Sequence, residues 1–142
     1  MAAFLNRVTL VGFLGREPKT AYTQEGIPVV NLSLATSAVW YDRANNNQKT
    51  TRVDWHRIVA WKRLAETCST FLHRGSQVLV EGRLQTRQYE WKGETRFVTE
   101  VIAQRVQFLG PPPDRDQNPN QIKMAFELVE APPDETEADI PI

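Results

Sequence analysis

Cysteine and histidine are nearly absent. One cysteine, Cys68, and two histidines, His56 and His73, occur in 142 residues. A lone cysteine excludes an intrachain disulfide framework and a cysteine-rich metal site, and a reducing cytoplasm is its natural compartment. No run approaches the roughly 18 apolar residues that a membrane span needs. The opening MAAFLNRVTLVG has no long apolar core and leads straight into a strand pattern, so neither a signal nor a transit peptide is expected. The chain contains no G-x-x-x-x-G-K-[ST] phosphate loop, no H-E-x-x-H zinc motif and no G-x-S-x-G nucleophile elbow. Asp54 and His56 lie two apart in a strand pattern and share a face. Without an elbow serine they do not make a triad, and His56 reads as a structural or interface residue. The acids of the first 109 residues are scattered, with no paired set for two-metal chemistry. Cys68 falls at an apolar helical position and reads as core. Catalysis is not expected, nor is a metal or a cofactor.

Net charge is also absent, but only as a sum. Residues 1–109 carry 15 Lys and Arg against 9 Asp and Glu, a net +6. Residues 110–142 carry 2 against 8, a net −6. Such asymmetry points to a body that binds a polyanion, followed by an acidic tail. Composition divides at the same place. The body holds 12 of the 13 aromatics and six of the seven glycines, whereas seven of the nine prolines lie beyond it. The expected organisation is therefore a folded domain over 1–109 and a disordered proline-rich linker and acidic tail over 110–142. Within the tail, residues 122–129 (IKMAFELV) are apolar enough to pack locally or bind something. The last 16 residues contain six acids and no base.

The body reads as strands. Val8 and Leu10 alternate with polar neighbours until Gly12, where a glycine within a strand marks a bulge or bend. Val30, Leu32 and Leu34 alternate in a second strand, and the polar stretch 42–49 looks like a long hairpin tip. A third strand covers 50–61. The period then changes: Leu64, Cys68, Phe71 and Leu72 have helical spacing, with Gly75 as the expected cap. A fourth strand runs from 77 through 84 towards Trp91, and a fifth covers 96–108. The class is all-β. Five strands with one helix between the third and fourth is the order of an OB-fold, a Greek-key barrel. Val8, Leu10, Val30, Leu32, Leu34, Val78, Val80, Val98 and Ile102 are the candidate interior.

The tryptophans are therefore not needed to fill the barrel. Trp55 and Trp61 are six apart on one strand, so they share a face with Arg57 between them. Trp40 ends the second strand beside Tyr41 and Arg43. Tyr89 and Trp91 follow Arg83 and Arg87. Flat rings interleaved with bases are the pattern of a groove for single-stranded nucleic acid, in which rings stack on bases and cations follow the phosphates.

Several stretches then become recognisable: NRVTLVGFLGREP over 6–18, NLSLAT over 31–36, WHRIV over 55–59, KRLAE over 62–66 and RGSQVLVEGRL over 74–84. Together they resemble the bacterial single-stranded DNA-binding proteins, over about residues 4–109. The resemblance implies a cytoplasmic, nucleoid-associated homotetramer that binds single-stranded DNA without sequence preference or catalysis. Its place is in DNA replication, recombination and repair. Stacking positions of the family match Trp40, Trp55, Trp61 and Tyr89, with Trp61 where phenylalanine is usual. Basic groove positions match Arg7, Arg43, Lys49, Arg57, Arg63, Arg74 and Arg87, and His56 matches a subunit-interface position. Gln85 and Gln88 stand where some members carry bases. Family tails recruit replication and repair proteins through an acidic run, Ile-Pro and a final phenylalanine. The matching residues here are Asp134, Glu135, Glu137, Asp139, Ile140, Pro141 and Ile142, an aliphatic end in place of the aromatic one. The competing reading is an OB-fold protein that binds RNA or assembles a primosome.

Overall fold

The computed structural model describes residues 2–110. The expectations for 111–142, including every tail residue named above, lie outside the described residues. The chain forms β1 (Val8–Leu14), β2 (Lys19–Tyr22), β3 (Pro28–Asp42), β4 (Gln48–Trp61), α1 (Lys62–Phe71), β5 (Gln77–Trp91) and β6 (Glu94–Leu109). Five of these strands close a barrel in the order β1-β5-β6-β4-β3, with β3 returning to β1. The five-stranded barrel with one helix is thus present. β2 is an additional four-residue strand on the outer edge of β3, from Lys19↔Asn31 to Tyr22↔Pro28. KTAY is too short to show alternation, so sequence periodicity passes over it.

Closure depends on β1 changing partners. Val8 to Phe13 pair with β5, and Phe13 and Leu14 pair with β3. The change happens beside Gly12. A Cβ at this position would collide with the carbonyl oxygen of Ala35. What Gly12 marks is this change of partner strand, and the close backbone approach is what requires a glycine there. On the far side, β4 and β6 meet in a short parallel pairing, Ile58↔Val101 and Val59↔Ile102.

The interior is aliphatic. Leu14, Val30, Leu32, Leu34, Ile58, Ala60, Val78, Val80 and Val101 form it together with Ala65, Cys68 and Leu72 from the helix side. No Phe, Tyr or Trp is buried among the described residues. Val98 and Ile102 are not in this interior; Val101 and Ala103 take their place on β6. The reason is a bulge: the β5–β6 register passes from Glu81↔Arg105 to Gly82↔Ala103 and skips Gln104. Odd residues face inward before the extra residue, and Val106 faces inward after it.

Two other expectations shift. The helix ends at Phe71 and is capped by Leu72, whose N–H donates to the Cys68 carbonyl (3.0 Å). Gly75 is not its cap. It occupies the left-handed position (φ 90) in the turn closed by Ser76 N–H to His73 O, and its own N–H donates to Leu14 O (2.7 Å). It therefore ties the helix exit to the end of β1. Phe71 has the spacing of the apolar helix face but is 60% exposed, and its ring lies 6.2 Å from that of Phe108. The hairpin tip is also shorter than the polar stretch suggests. β3 and β4 pair out to Asp42↔Gln48. The Asp42 carboxylate accepts from Ala44 N–H, and Asn46 and Asn47 adopt the left-handed conformation that asparagine tolerates.

Two outcomes follow. Gly12→Ala should lower stability by about 3 kcal/mol or more, because backbone rather than a flexible side chain must move; urea unfolding measures this. Burial pushes the Cys68 thiol from 9.0 up to about 11. Between these values the unfolded chain loses the proton and the folded chain keeps it. The stabilisation is thus complete below about pH 9 and is lost as pH rises towards 11. The difference in stability between the parent and Cys68→Ala should shrink over that interval, by roughly 1.4 kcal/mol per pH unit.

Candidate nucleic-acid interface

Strand alternation and register decide which residues reach the surface. On β4, His56, Ile58 and Ala60 pair with Leu34, Leu32 and Val30. These set the inward face. The alternate residues Trp55, Arg57, Val59 and Trp61 therefore point outward. They lie opposite Ala35, Ser33, Asn31 and Val29, all compact, so the rings and the guanidinium meet no bulk from β3. On the neighbouring strands the bulge sets the same face. Ile102 pairs with Arg83, Glu100 with Gln85, and Val98 with Arg87.

At the floor of this face sits Glu100, the one buried charged residue among those described, 4% exposed. Its two oxygens are divided between two cations. Arg57 Nε donates to Oε2 at 2.8 Å and Arg87 Nε to Oε1 at 2.7 Å. Register explains the meeting. The parallel pairing Val59↔Ile102 brings Glu100 abreast of Arg57, and Arg87 is one step along β5. The trio keeps a net positive charge. A shallow depression of about 70 Å³ lies over it, between Trp61, Arg87, Glu100 and Ile102. A second, of about 40 Å³, continues past Arg57 to Arg16 and Lys19. Small-molecule sites are enclosed spaces of roughly 300–1,000 Å³. These two open hollows suit a flat or extended ligand instead.

The other expected site residues are distributed. Tyr89 follows Arg87 on the outward face of β5, opposite Arg96. Trp40, Arg43 and Lys49 lie on the β3–β4 ribbon where it extends beyond the barrel, and Trp40 is 46% exposed. Trp40 pairs with Thr50, which puts it on the opposite side of the ribbon from Trp55; Tyr41, paired with Lys49, is on the side of Trp55. Arg7 precedes β1, Arg63 lies on α1, and Arg74 occupies the turn after the helix, where its N–H donates to Glu17. None of these three lines either hollow. His56 Nε2 is 2.8 Å from Thr36 Oγ1, while Asp54 accepts from Arg52 Nε at 3.1 Å, so the Asp-His pair is not joined. No three of His, Cys, Asp and Glu among the described residues converge as a metal site. No described helix is long and apolar enough to cross a membrane.

The sequence reading missed Glu100, Ile102, Arg16 and Lys19. For Glu100 a signal existed. An acid directly before Val101-Ile102-Ala103, in a strand, is almost never fully buried unless paired.

Residues 5–109 match the single-strand binding protein family. The chain belongs to this family. It is a family of binding proteins rather than enzymes, and it is the one the sequence motifs resemble. A single-stranded DNA-binding protein of Chlorobaculum tepidum is 46% identical over 112 residues, 78% of this chain and 68% of that protein. One from Xylella fastidiosa is 40% identical over 116 residues, 81% and 85%. Among solved structures, a Plasmodium falciparum family member in complex with single-stranded DNA matches with a TM-score of 0.70 and 32% identity. That match covers 78% of this chain and 99% of the other. A Thermus aquaticus single-stranded DNA-binding protein, a deletion mutant, matches at 0.66 and 33%, covering 75% and 51%.

Proposed function

We propose that the chain binds single-stranded DNA without sequence preference, holding bases against Trp55, Trp61 and Tyr89 and phosphates against Arg57 and Arg87. The observation that carries this is the outward face of β4, where two tryptophans flank an arginine over an aliphatic barrel that needs neither ring. Stacking tolerates any base because every base has a π-face. The Plasmodium relative bound to single-stranded DNA and the names of the bacterial relatives support the same reading. The ribbon residues Trp40, Arg43 and Lys49 extend the path beyond the barrel, and Arg7, Arg63 and Arg74 take a strand that wraps further around the surface. Such wrapping suits a homotetramer with His56 at a subunit boundary. The protein then covers exposed strands in replication, recombination and repair, in the cytoplasm at the nucleoid. The acidic segment from Asp134 to Ile142 recruits partner proteins.

Titration with a dT oligomer tests this. Tryptophan emission should fall on binding, and Trp55→Ala and Trp61→Ala should each weaken binding by about 1–3 kcal/mol. Log affinity should fall against log salt with a slope of about −0.7 per phosphate contacted, and Arg87→Ala should make it shallower. Unchanged emission at saturation, or poly(U) binding in preference to dT, counts against the reading. A monomer mass by light scattering counts against the tetramer.

The tail makes a separate test. An acidic segment tethered near a basic groove competes with DNA through its high effective concentration. A chain ending at Leu109 should bind dT more tightly than the full chain at low salt, with the gain shrinking as salt screens the charges. Equal affinities at low salt would show that the tail does not visit the groove.

A further inference from the structure

Glu100 presents a conflict. It puts a negative charge beneath a surface whose proposed ligand is a polyanion, so on charge alone its removal strengthens binding. The geometry points to the opposite. We propose that Glu100 is a positioning residue, whose carboxylate clamps Arg57 and Arg87 side by side so that Arg87, the more exposed of the two, reaches the phosphates of a strand stacked on Trp55 and Trp61, over a largely buried Arg57. This rests on the DNA-binding reading above.

Three observations carry it. Each carboxylate oxygen takes one arginine, at 2.8 and 2.7 Å, within the range of charge-assisted bonds. The two cations come from β4 and β5, and β6, which lies between those strands, supplies the acid. One side chain thus sets their spacing across the face. The Glu100 side chain is 3% exposed, too buried to touch a ligand, so whatever it does for binding passes through the arginines. Arg87 is held through Nε and is 23% exposed, so its Nη groups stay outside this ion pair. Without the carboxylate, two like charges in a half-buried place repel, and their long side chains regain rotamer freedom.

The experiment uses the full chain, with two substitutions. Glu100→Gln adds one net positive charge. Glu100→Asp keeps the charge but is one methylene too short to span both Nε atoms. Each is followed by tryptophan fluorescence with dT oligomers at several salt concentrations, with circular dichroism melting to confirm folding. Both should weaken dT binding about tenfold and give a shallower salt slope, by about 0.7 for each phosphate that Arg87 no longer reaches. The maximal tryptophan quenching should stay the same, because the rings still stack. In an Arg87→Ala background, the loss from Glu100→Gln should shrink to threefold or less, since residues that act together are not additive. Binding by Glu100→Gln at or above parental strength overturns the proposal, as does an unchanged salt slope or a fully multiplicative loss in the double variant. Should Glu100→Gln not fold, Glu100→Asp decides alone, and parental affinity there overturns the proposal. Failure of the parent chain to bind dT defeats the DNA-binding reading instead.

Discussion

Closure of the barrel at Gly12 is the constraint from which the binding face follows. β1 must pair with β5 along most of its length and then reach β3, and the backbone of Ala35 comes too close at that point for any Cβ. The interior of the closed barrel is aliphatic. Leucine, valine, isoleucine, alanine and the Cys68 thiol fill it. No Phe, Tyr or Trp among the described residues is buried in it. The aliphatic core is complete without them, so rings such as Trp40, Tyr41 and Trp61 stay exposed and can stack on a flat ligand.

The electrostatics of the face come from the sheet rather than from loops. Arg57 and Arg87 are held by strand backbone, and Glu100 holds their side chains. A buried Arg–Glu–Arg group contributes little to stability compared with apolar packing, because desolvation of the charges offsets most of the Coulomb attraction. What it does supply is a fixed placement of Arg57 and Arg87 side by side on the outer face. The β3–β4 ribbon is a different kind of element. Beyond Thr36 its residues are mostly exposed and have no third strand beside them. Among the described residues, Arg43 and Lys49 at its tip have no ion-pair partner for their side chains, whereas Arg57 and Arg87 are fixed on Glu100.

Much of this was legible in the residues. Alternation in β1, β3 and β4, the helical spacing of Leu64, Cys68 and Leu72, and the order of the elements lead to the barrel, and Trp55, Arg57 and Trp61 lead to the face. What escaped is instructive. β2 is shorter than the window in which a period can be detected. Gly75 follows a helix, as a capping glycine does, but a turn that reaches back to Leu14 determines its conformation, and that contact is 61 residues away in sequence. Trp40 looks like a partner of Trp55 until the hairpin register puts the two on opposite sides of the ribbon.

The bulge on β6 shows why alternation alone misplaces the floor of the site, although an acid beside an apolar run marked Glu100. Val98, Ile102 and Val106 keep an even spacing, and a regular strand would send all three inward. One skipped residue, Gln104, breaks that spacing. Val106 still packs inward against Val80, but Val101 and Ala103 replace Ile102 and Val98. The even residues before the bulge then turn outward as a set, and Glu100 is among them. Had the strand been regular, Glu100 would share the interior with Leu32 and Ile58, with no cation in reach, a position no carboxylate holds at neutral pH without a partner. The bulge thus corrects the core and builds the arginine clamp in one step. Gly82 makes it possible, since a Cβ there would strike the carbonyl oxygen of Ile102. Fold and site are joined at two glycines: Gly12 closes the barrel, and Gly82 turns its outer wall into a surface with paired cations.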